Sequence, residues 1–160
     1  MDYAGISAQI DSLIERGMMI EAQRNALDIA SLDAFFKTPL ARRMLTVPPD
    51  RLWREVPFLI GLSPSEALLE DLDAYDDSER IRAQGVIDCL FEEADGGLVL
   101  LDYKTDAIKT PELVAERTQM HLPQMRVYAR AVEAVFGKPP KEMYLCFLNA
   151  GQVVPVERIG

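Results

Sequence analysis

The most constraining feature of this sequence is a short aliphatic run that ends in charged residues. Residues 98–101 read Leu-Val-Leu-Leu, as expected for a strand buried on both faces of a sheet, and Asp102 and Lys104 follow directly. Because side chains alternate along a strand, Asp102 and Lys104 lie on one face. Charged groups are costly to desolvate unless something compensates them. The strand therefore predicts a site at its end in which other groups offset the cost of burying these two charges.

A glycine-containing turn connects this strand to the one before it. We expect strands at residues 81–93 and 98–105, joined around Ala94-Asp95-Gly96-Gly97. A three-residue loop with a left-handed Gly96 places Asp88 opposite Asp102. A five-residue loop would instead pair Asp88 with Lys104 and keep all three charges on one face, whereas a two-residue loop would separate the two carboxylates. The predicted site depends on this register.

Two carboxylates that face each other across a strand pair predict a cation. Their Cβ atoms are about 4.5–5.5 Å apart, and both stay ionised only with a positive charge beside them. Magnesium is commonly bound by one or two carboxylates, waters and substrate phosphates. Lys104 could then orient an attacking water or neutralise charge on a phosphoryl group. The alternative is a structural ion pair with a spare acid, or a solvated face.

The remaining pattern predicts helices before and after the strands. We expect a helix with Ile6, Ile10, Leu13 and Ile14 on one face, a helix over residues 20–30, and two short helices capped by Ser31 and Thr38. A strand over residues 52–60 contains Pro57, which favours an edge or a bulge. A helix capped by Thr110 is expected to break or kink at Pro123 and to end at Gly137, before strands at residues 142–148 and 153–156.

Length and composition fit one compact domain. The chain has 160 residues, and no apolar run reaches membrane-spanning length. Its net charge of −9 argues against nucleic acid, but seven of the acids lie between Ser63 and Glu79, a segment without Lys or Arg that we expect to be a surface excursion, partly helical around residues 67–69. The two cysteines, Cys89 and Cys146, lie in apolar strand-like stretches. Buried, inert thiols in a reducing cytoplasm fit best.

Four motifs together resemble a known enzyme family. They are Arg54-Glu55-Val56-Pro57-Phe58, Gln84-Gly85-Val86-Ile87-Asp88, Asp102-Tyr103-Lys104-Thr105-Asp106, and Gln124 with Tyr128. This combination resembles the RecB-like branch of the PD-(D/E)XK nucleases. It is most similar to the nuclease domains at the C-terminus of the A-type subunits (AddA) of bacterial AddAB ATP-dependent helicase-nucleases. The resemblance covers most of the chain, from about the first helix onward.

The resemblance implies a fold and an activity. The fold is α/β (α+β), a restriction-endonuclease-like core with a mixed sheet of about four to five strands flanked by helices. Residues 1–50 would form a helical segment packed on the core, and residues 51–160 the nuclease core. The implied activity is that of a Mg²⁺-dependent exodeoxyribonuclease, with Mn²⁺ as a possible substitute, which hydrolyses phosphodiesters in DNA recombination and double-strand break repair. DNA, the helicase part of a larger chain and a B-type subunit would be its partners in the bacterial cytoplasm.

The resemblance also assigns roles to residues. Asp88, Asp102 and the backbone carbonyl of Tyr103 would bind the metal, and Lys104 would be the catalytic lysine. Glu55 would be an additional acid of the active site, or it would act indirectly by supporting the residues that bind the metal. Gln124 and Tyr128 would brace the site or contact DNA, although the helix stripe that they share with Ala131 and Val135 also fits ordinary packing on a sheet. No iron-sulfur cluster is expected, because the relatives that carry one bind it through four cysteines.

Two departures from the family pattern matter. The family carries a metal-binding histidine upstream of all these motifs, but the only histidine here is His121, three residues before Gln124. His121 could face the cleft, or it could be an exposed or packed residue. A phosphate-binding loop of the helicase type is also absent from the sequence. Both departures suggest an excised piece of a larger polypeptide, and they leave a scaffold that has lost activity as the alternative function.

Overall fold

The computed structural model of the protein describes residues 2–67, 76, 78–106, 108 and 110–157. Four helices come first, α1 (Tyr3–Glu15), α2 (Glu21–Ala26), α3 (Ile29–Phe36) and α4 (Pro39–Thr46), and a 3₁₀ turn (Pro49–Arg51) follows them. The rest comprises β1 (Leu52–Leu62), β2 (Ile81–Glu92), β3 (Leu98–Lys104), α5 (Pro111–Phe136), β4 (Glu142–Phe147), a 3₁₀ turn (Leu148–Ala150) and β5 (Gln152–Val156).

The described strands form one mixed sheet. Its order is β1-β2-β3-β4-β5, with β3 and β4 parallel and the other neighbours antiparallel. The long helix α5 makes the crossover that a parallel pair requires. Five strands flanked by helices confirm the predicted α/β fold, and β1 is an edge strand, as Pro57 indicated.

A hydrophobic core lies on each face of the sheet. Side chains of α5 pack on one face, and side chains of α3 and α4 pack on the other. Strand β3 contributes to both cores, which explains its continuous aliphatic run: Leu98 and Leu100 face α5, whereas Val99 and Leu101 face α3 and α4. The end of β3 is therefore the most enclosed place at which a strand of this sheet carries charge.

Two predictions about the helices are wrong. The helix expected over residues 20–30 ends at Ala26, and Asp28, not Ser31, caps the next one, because its carboxylate accepts a hydrogen bond from the Ser31 amide at 3.1 Å. Of the two alternatives expected at Pro123, a break or a kink, the break does not occur, because helix α5 continues through this residue. Pro123 is exposed, so water can solvate the carbonyl that its missing N–H leaves free.

Other expectations have mixed outcomes. Thr110 caps α5 and Gly137 ends it in the left-handed conformation, as predicted. The helix expected around residues 67–69 lies largely outside the described residues. Among the described helices, none is long and apolar enough to cross a membrane.

The two cysteines are buried, as predicted. Cys89 and Cys146 are each 1% exposed or less, and burial raises the pKa of both thiols, that of Cys146 to about 12. The Sγ atom of Cys89 lies 3.7 Å from Sδ of Met44. Because the thiolate is the reactive form, these cysteines are chemically protected by their surroundings.

Candidate functional site

The hairpin between β2 and β3 has the predicted three-residue loop. The amide of Glu93 donates to the carbonyl of Gly97 at 3.0 Å, and Gly96 has φ 79°. The ladder runs from Glu92 opposite Leu98 to Cys89 opposite Leu101. This confirms the register, which continued by one residue places Asp88 opposite Asp102.

The backbone pairing of β2 with β3 ends before Asp88, where a side-chain contact joins the two strands. Oδ2 of Asp88 accepts a hydrogen bond from the backbone amide of Tyr103 at 2.8 Å. The carboxylate thereby takes the place of a backbone carbonyl and stays beside the end of β3. Its half-buried position keeps it within reach of solvent.

Asp102 and Lys104 form a buried ion pair. Nζ of Lys104 lies 2.6 Å from Oδ2 of Asp102, and the two side chains are 13% and 3% exposed. The contact lacks hydrogen-bond geometry, so within the described residues Oδ2 is a buried oxygen without a hydrogen-bond donor. Burial raises the pKa of Asp102 and Asp88 adds to the rise, whereas Lys104 opposes it. The carboxylate is thus held where additional positive charge would stabilise its ionised form.

Gln124 and Tyr128 hold the lysine from α5. Nζ of Lys104 donates to Oε1 of Gln124 at 2.7 Å, and Nε2 of Gln124 donates to the Tyr128 hydroxyl at 2.8 Å. A polar chain therefore runs from Asp102 through Lys104 and Gln124 to Tyr128.

An aromatic contact fixes the far end of this chain. The ring of Tyr128 meets that of Phe58 edge to face, with centroids 5.6 Å apart. Phe58 in turn lies on Gly85, where an added Cβ would come within 2.9 Å of its Cζ. The sequence analysis did not identify these supporting contacts, and the only signal for them was the glycine inside a strand pattern.

Glu55 lies on β1 at an interruption of the ladder. It is exposed and has φ 51°, the only described non-glycine residue with a positive φ. The pairs on either side, Arg54 with Cys89 and Val56 with Ile87, place Glu55 opposite Asp88. Trp53 and Val56 both pack against the core on the α5 side, so the alternation of side chains resets at Glu55.

His121 lies on α5 near the loop that follows β3. Its Nε2 is 3.5 Å from Oδ2 of Asp106, and its ring centroid is 6.2 Å from that of Phe147. Phe147 pairs with Lys104 in the parallel ladder. The structure therefore shows His121 as a partly buried residue packed near Phe147, which is one of the possibilities considered for it.

The oxygen atoms at the site suit a hard cation. Within the described residues, no three His, Cys, Asp or Glu side chains are arranged as a complete metal site. Mg²⁺ does not need such a set, because it usually keeps several waters and binds one or two carboxylates. The Asp102 carboxylate, which is buried beside Asp88 and has the Lys104 ammonium group as its ion-pair partner, is the kind of group that such an ion would bind.

Comparison with protein families shows to which family the chain belongs. Residues 15–158 match the PD-(D/E)XK nuclease superfamily. The chain belongs to this superfamily. Its members typically use divalent metal ions, in agreement with the oxygen atoms gathered at the end of β3.

Individual relatives agree with the family match. The chain is 39% identical over 96% of its length to the A-type subunit of the ATP-dependent helicase/nuclease of Thermoanaerobacter sp. (strain X514), covering 12% of that protein. It is 37% and 35% identical over 98% of its length to the corresponding subunits from Carboxydothermus hydrogenoformans and Geobacillus kaustophilus, covering 13% of each. The chain therefore spans about an eighth of the length of these relatives.

Proposed function

We propose that this PD-(D/E)XK domain is a Mg²⁺-dependent exodeoxyribonuclease that hydrolyses phosphodiesters during double-strand break repair in the bacterial cytoplasm. The observation that carries the proposal is the buried pair of Asp102 and Lys104 at the end of β3, with Asp88 beside it. Similarity to helicase/nuclease proteins supports DNA as the substrate. The same similarity supports a role for this domain within a complex that includes a helicase and a B-type subunit.

Three groups would hold the cation. They are the carboxylates of Asp88 and Asp102 and the backbone carbonyl of Tyr103, all at the meeting of β2 and β3. When bound, Mg²⁺ or Mn²⁺ would polarise the phosphate and make a water molecule more acidic. The Tyr103 amide already orients the Asp88 carboxylate, so that part of the site is preorganised.

Lys104 supplies a fixed positive charge. Asp102 and Gln124 hold its ammonium group from two sides, at 2.6 and 2.7 Å. A positive charge fixed before the reaction needs no reorganisation when charge develops on the phosphate or on the attacking water. In the proposed mechanism Lys104 orients that water and stabilises the charge, while Gln124 and Tyr128 keep the lysine in position.

Glu55 would complete the acidic side of the site. Its register places it opposite Asp88, and its positive φ at a non-glycine residue is the kind of strain that clusters at functional sites. We assign it the role of an additional acid that orients water, not that of a further direct ligand.

Metal titration and cleavage assays test the proposal together. Mg²⁺ and Mn²⁺ are titrated calorimetrically into this chain and into its Asp102→Ala variant, and end-labelled single- and double-stranded DNA is incubated with both. We expect the wild type to bind metal and shorten the DNA, and the variant to do neither. If the wild type binds no metal and leaves DNA intact, the chain is a nuclease-like scaffold and the proposal is wrong.

A further inference from the structure

Tyr103 contributes to the proposed site with its main chain and to the opposite layer of the fold with its side chain. Its amide donates to Oδ2 of Asp88 at 2.8 Å, and its carbonyl is one of the groups proposed to hold the cation. Its side chain lies on the other face of β3, where it packs against the core beneath α3 and α4. A displacement of this side chain would therefore also displace the peptide groups that belong to the site.

Two helices hold the Tyr103 side chain. Its ring and that of Phe35 on α3 are arranged edge to face, with the centroids 5.6 Å apart and the planes at 87°. Its hydroxyl donates to Sδ of Met44 on α4 at 3.7 Å. Phe35 and Met44 are both buried, so the two contacts lie in the packed part of the protein. One helix thus holds the side chain through its ring and the next holds it through its hydroxyl.

Stability alone does not account for a tyrosine at this position. The earlier residues of β3 on the same face, Val99 and Leu101, are aliphatic and buried. A thioether is a weak acceptor, so the Tyr103 hydroxyl gains little from Met44. However, a tyrosine has only two side-chain torsions, and a ring held at two points is confined to one orientation. This rigidity suits a residue that must keep its own backbone in place.

The pairing of the strands leaves the end of β3 dependent on its side chains. On the β2 side the pairing stops at Cys89 opposite Leu101, whereas on the β4 side it continues to Lys104 opposite Phe147. Ladder hydrogen bonds act within the plane of the sheet, but side chains stand roughly perpendicular to it. The packing of Tyr103 on α3 and α4 therefore determines how far its peptide groups lie above or below that plane.

We infer that the Tyr103 side chain is a positioning group for the proposed metal site, through which α3 and α4 set the place of the Tyr103 peptide groups and hence of the Asp88 carboxylate. Metal and catalytic sites need their groups within about 0.5 Å of the productive geometry. The inference rests on the proposed nuclease function and deepens it, because it makes two helices that precede β1 part of the support of the site. The competing explanation is that the Tyr103 side chain only fills the core.

Hydrogen exchange of backbone amides, followed by NMR without metal, tests the positioning directly. In Tyr103→Leu and in Phe35→Leu we expect the protection factor of the residue 103 amide to fall about tenfold or more, the equivalent of losing one hydrogen bond to a charged group. The protection of the Val99 and Leu101 amides should change much less. A role in packing alone would lower the protection of all three amides together, because they would exchange through the same opening of the fold. Should Tyr103→Leu fail to fold, Phe35→Leu removes the same ring contact from α3.

Metal titration and cleavage measure the consequence for the site. Replacing a residue that orients a metal ligand typically costs about 10–100-fold in metal affinity or activity, so Mg²⁺ and Mn²⁺ should bind Tyr103→Leu about tenfold or more weakly than the wild type. The kcat on end-labelled DNA should fall in parallel, while the Michaelis constant stays within about twofold. Tyr103→Phe keeps the ring and should restore most of the affinity. The matched control is Tyr144→Leu, because Tyr144 packs against the same core from the neighbouring strand and its hydroxyl donates to Glu142.

The outcomes keep the two proposals distinguishable. If the residue 103 amide loses no more protection than those of Val99 and Leu101, or if Tyr103→Leu binds metal as tightly as Tyr144→Leu, the positioning role is wrong, and a wild type that cleaves DNA leaves the nuclease function standing. If the variants lose protection and metal affinity as expected but the wild type cleaves no DNA, the positioning role stands and the nuclease function is wrong. A wild type that binds no metal would overturn both.

Discussion

Nζ of Lys104 lies 2.6 Å from Oδ2 of Asp102, two residues earlier on the same face of β3. Both side chains are buried between the sheet and α5, so neither charge is screened by bulk water as a surface ion pair would be. A buried pair of this kind contributes little net stability compared with apolar residues of the same volume. A contribution to stability therefore does not explain why the pair lies at the end of an aliphatic strand, and this favours the catalytic role that we propose for it.

Replacing Lys104 should affect catalysis more than metal binding. In Lys104→Met we expect kcat to fall by about 10²–10³, because a positive charge aimed at the reacting phosphate is lost. Metal affinity should stay the same or increase, since a cation next to the proposed ligands has been removed. Calorimetry and single-turnover cleavage measure the two effects, with the exposed Lys37→Met as control. Equal cleavage by wild type and variant would exclude a catalytic Lys104.

Bound metal should raise the melting temperature in a way that depends on Asp102. A ligand present at 100 times its dissociation constant stabilises the folded state by about 2.7 kcal/mol, which in a chain of this size corresponds to about 5–10 °C. We expect this shift with Mg²⁺ or Mn²⁺ for the wild type and none for Asp102→Asn, measured by differential scanning fluorimetry. An equal shift in both proteins would place the cation elsewhere.

The contact of Phe58 with Gly85 should couple the sheet to the polar chain. In Gly85→Ala the new methyl group would meet the Phe58 ring at 2.9 Å, so the ring must move away from its place against Tyr128. We expect a loss of about 1–3 kcal/mol in the free energy of unfolding, together with reduced cleavage. Urea denaturation measures the former.

A double variant provides the control for this prediction. Phe58→Leu removes the ring that the methyl group would strike, so Gly85→Ala should cost at least about 0.5 kcal/mol less in the Phe58→Leu background than in the wild type. Additive effects would show that the methyl group clashes with something else.

The hairpin and the buried strand that carry the proposed site could be predicted from the sequence, because local rules determine their structure. The loop needs a left-handed residue where Gly96 lies, which favoured a three-residue loop over the alternatives, and the observed loop has this length and hence the register that brings Asp88 opposite Asp102. The aliphatic run of β3 likewise required two apolar layers, which the structure has.

Other features depend on which of several possible contacts forms, and a sequence pattern does not show this. Asp28 and Ser31 are both good caps, and the choice between them follows from which amide each side chain reaches. Pro123 was expected to break or kink α5, and its position on the solvent side lets the helix continue without a break. The family resemblance predicted that Gln124 braces the site or contacts DNA, but not that its partner is Lys104, which lies 20 residues away in the chain. Such contacts can be assigned only after the helix is placed on the sheet.

Glu55 should show opposite effects on stability and activity. A left-handed conformation costs a side chain such as glutamate about 1–2 kcal/mol, and asparagine tolerates it better. We therefore expect Glu55→Asn to raise the free energy of unfolding by up to about 1 kcal/mol and to lower kcat, since a carboxylate of the proposed site is lost. Chemical denaturation and cleavage assays measure both. A variant that is more stable and fully active would show that Glu55 takes no part in the reaction.

Arg43 should make stability depend on pH. It joins α4 to the sheet through Glu93 at 2.9 Å and through a two-pronged contact with Glu142 at 2.8 and 3.0 Å. Hydrogen bonds from Arg43 are the main reason that the pKa values of both glutamates are lowered. A lowered carboxyl pKa stabilises the fold at pH values above the ordinary glutamate pKa, and this stabilisation is lost as the pH falls through the lowered value.

In Arg43→Met we therefore expect a loss of about 1–2 kcal/mol at neutral pH, which the partial exposure of the pair keeps below that of a fully buried ion pair. The difference from the wild type should shrink as the glutamates become protonated in acid. Urea denaturation at several pH values between neutral and acid checks this, with Arg42→Met as the control because Arg42 is the exposed neighbour on the same helix. A difference between wild type and Arg43→Met that stays constant over this range would mean that Arg43 stabilises the protein by packing and not by its charge.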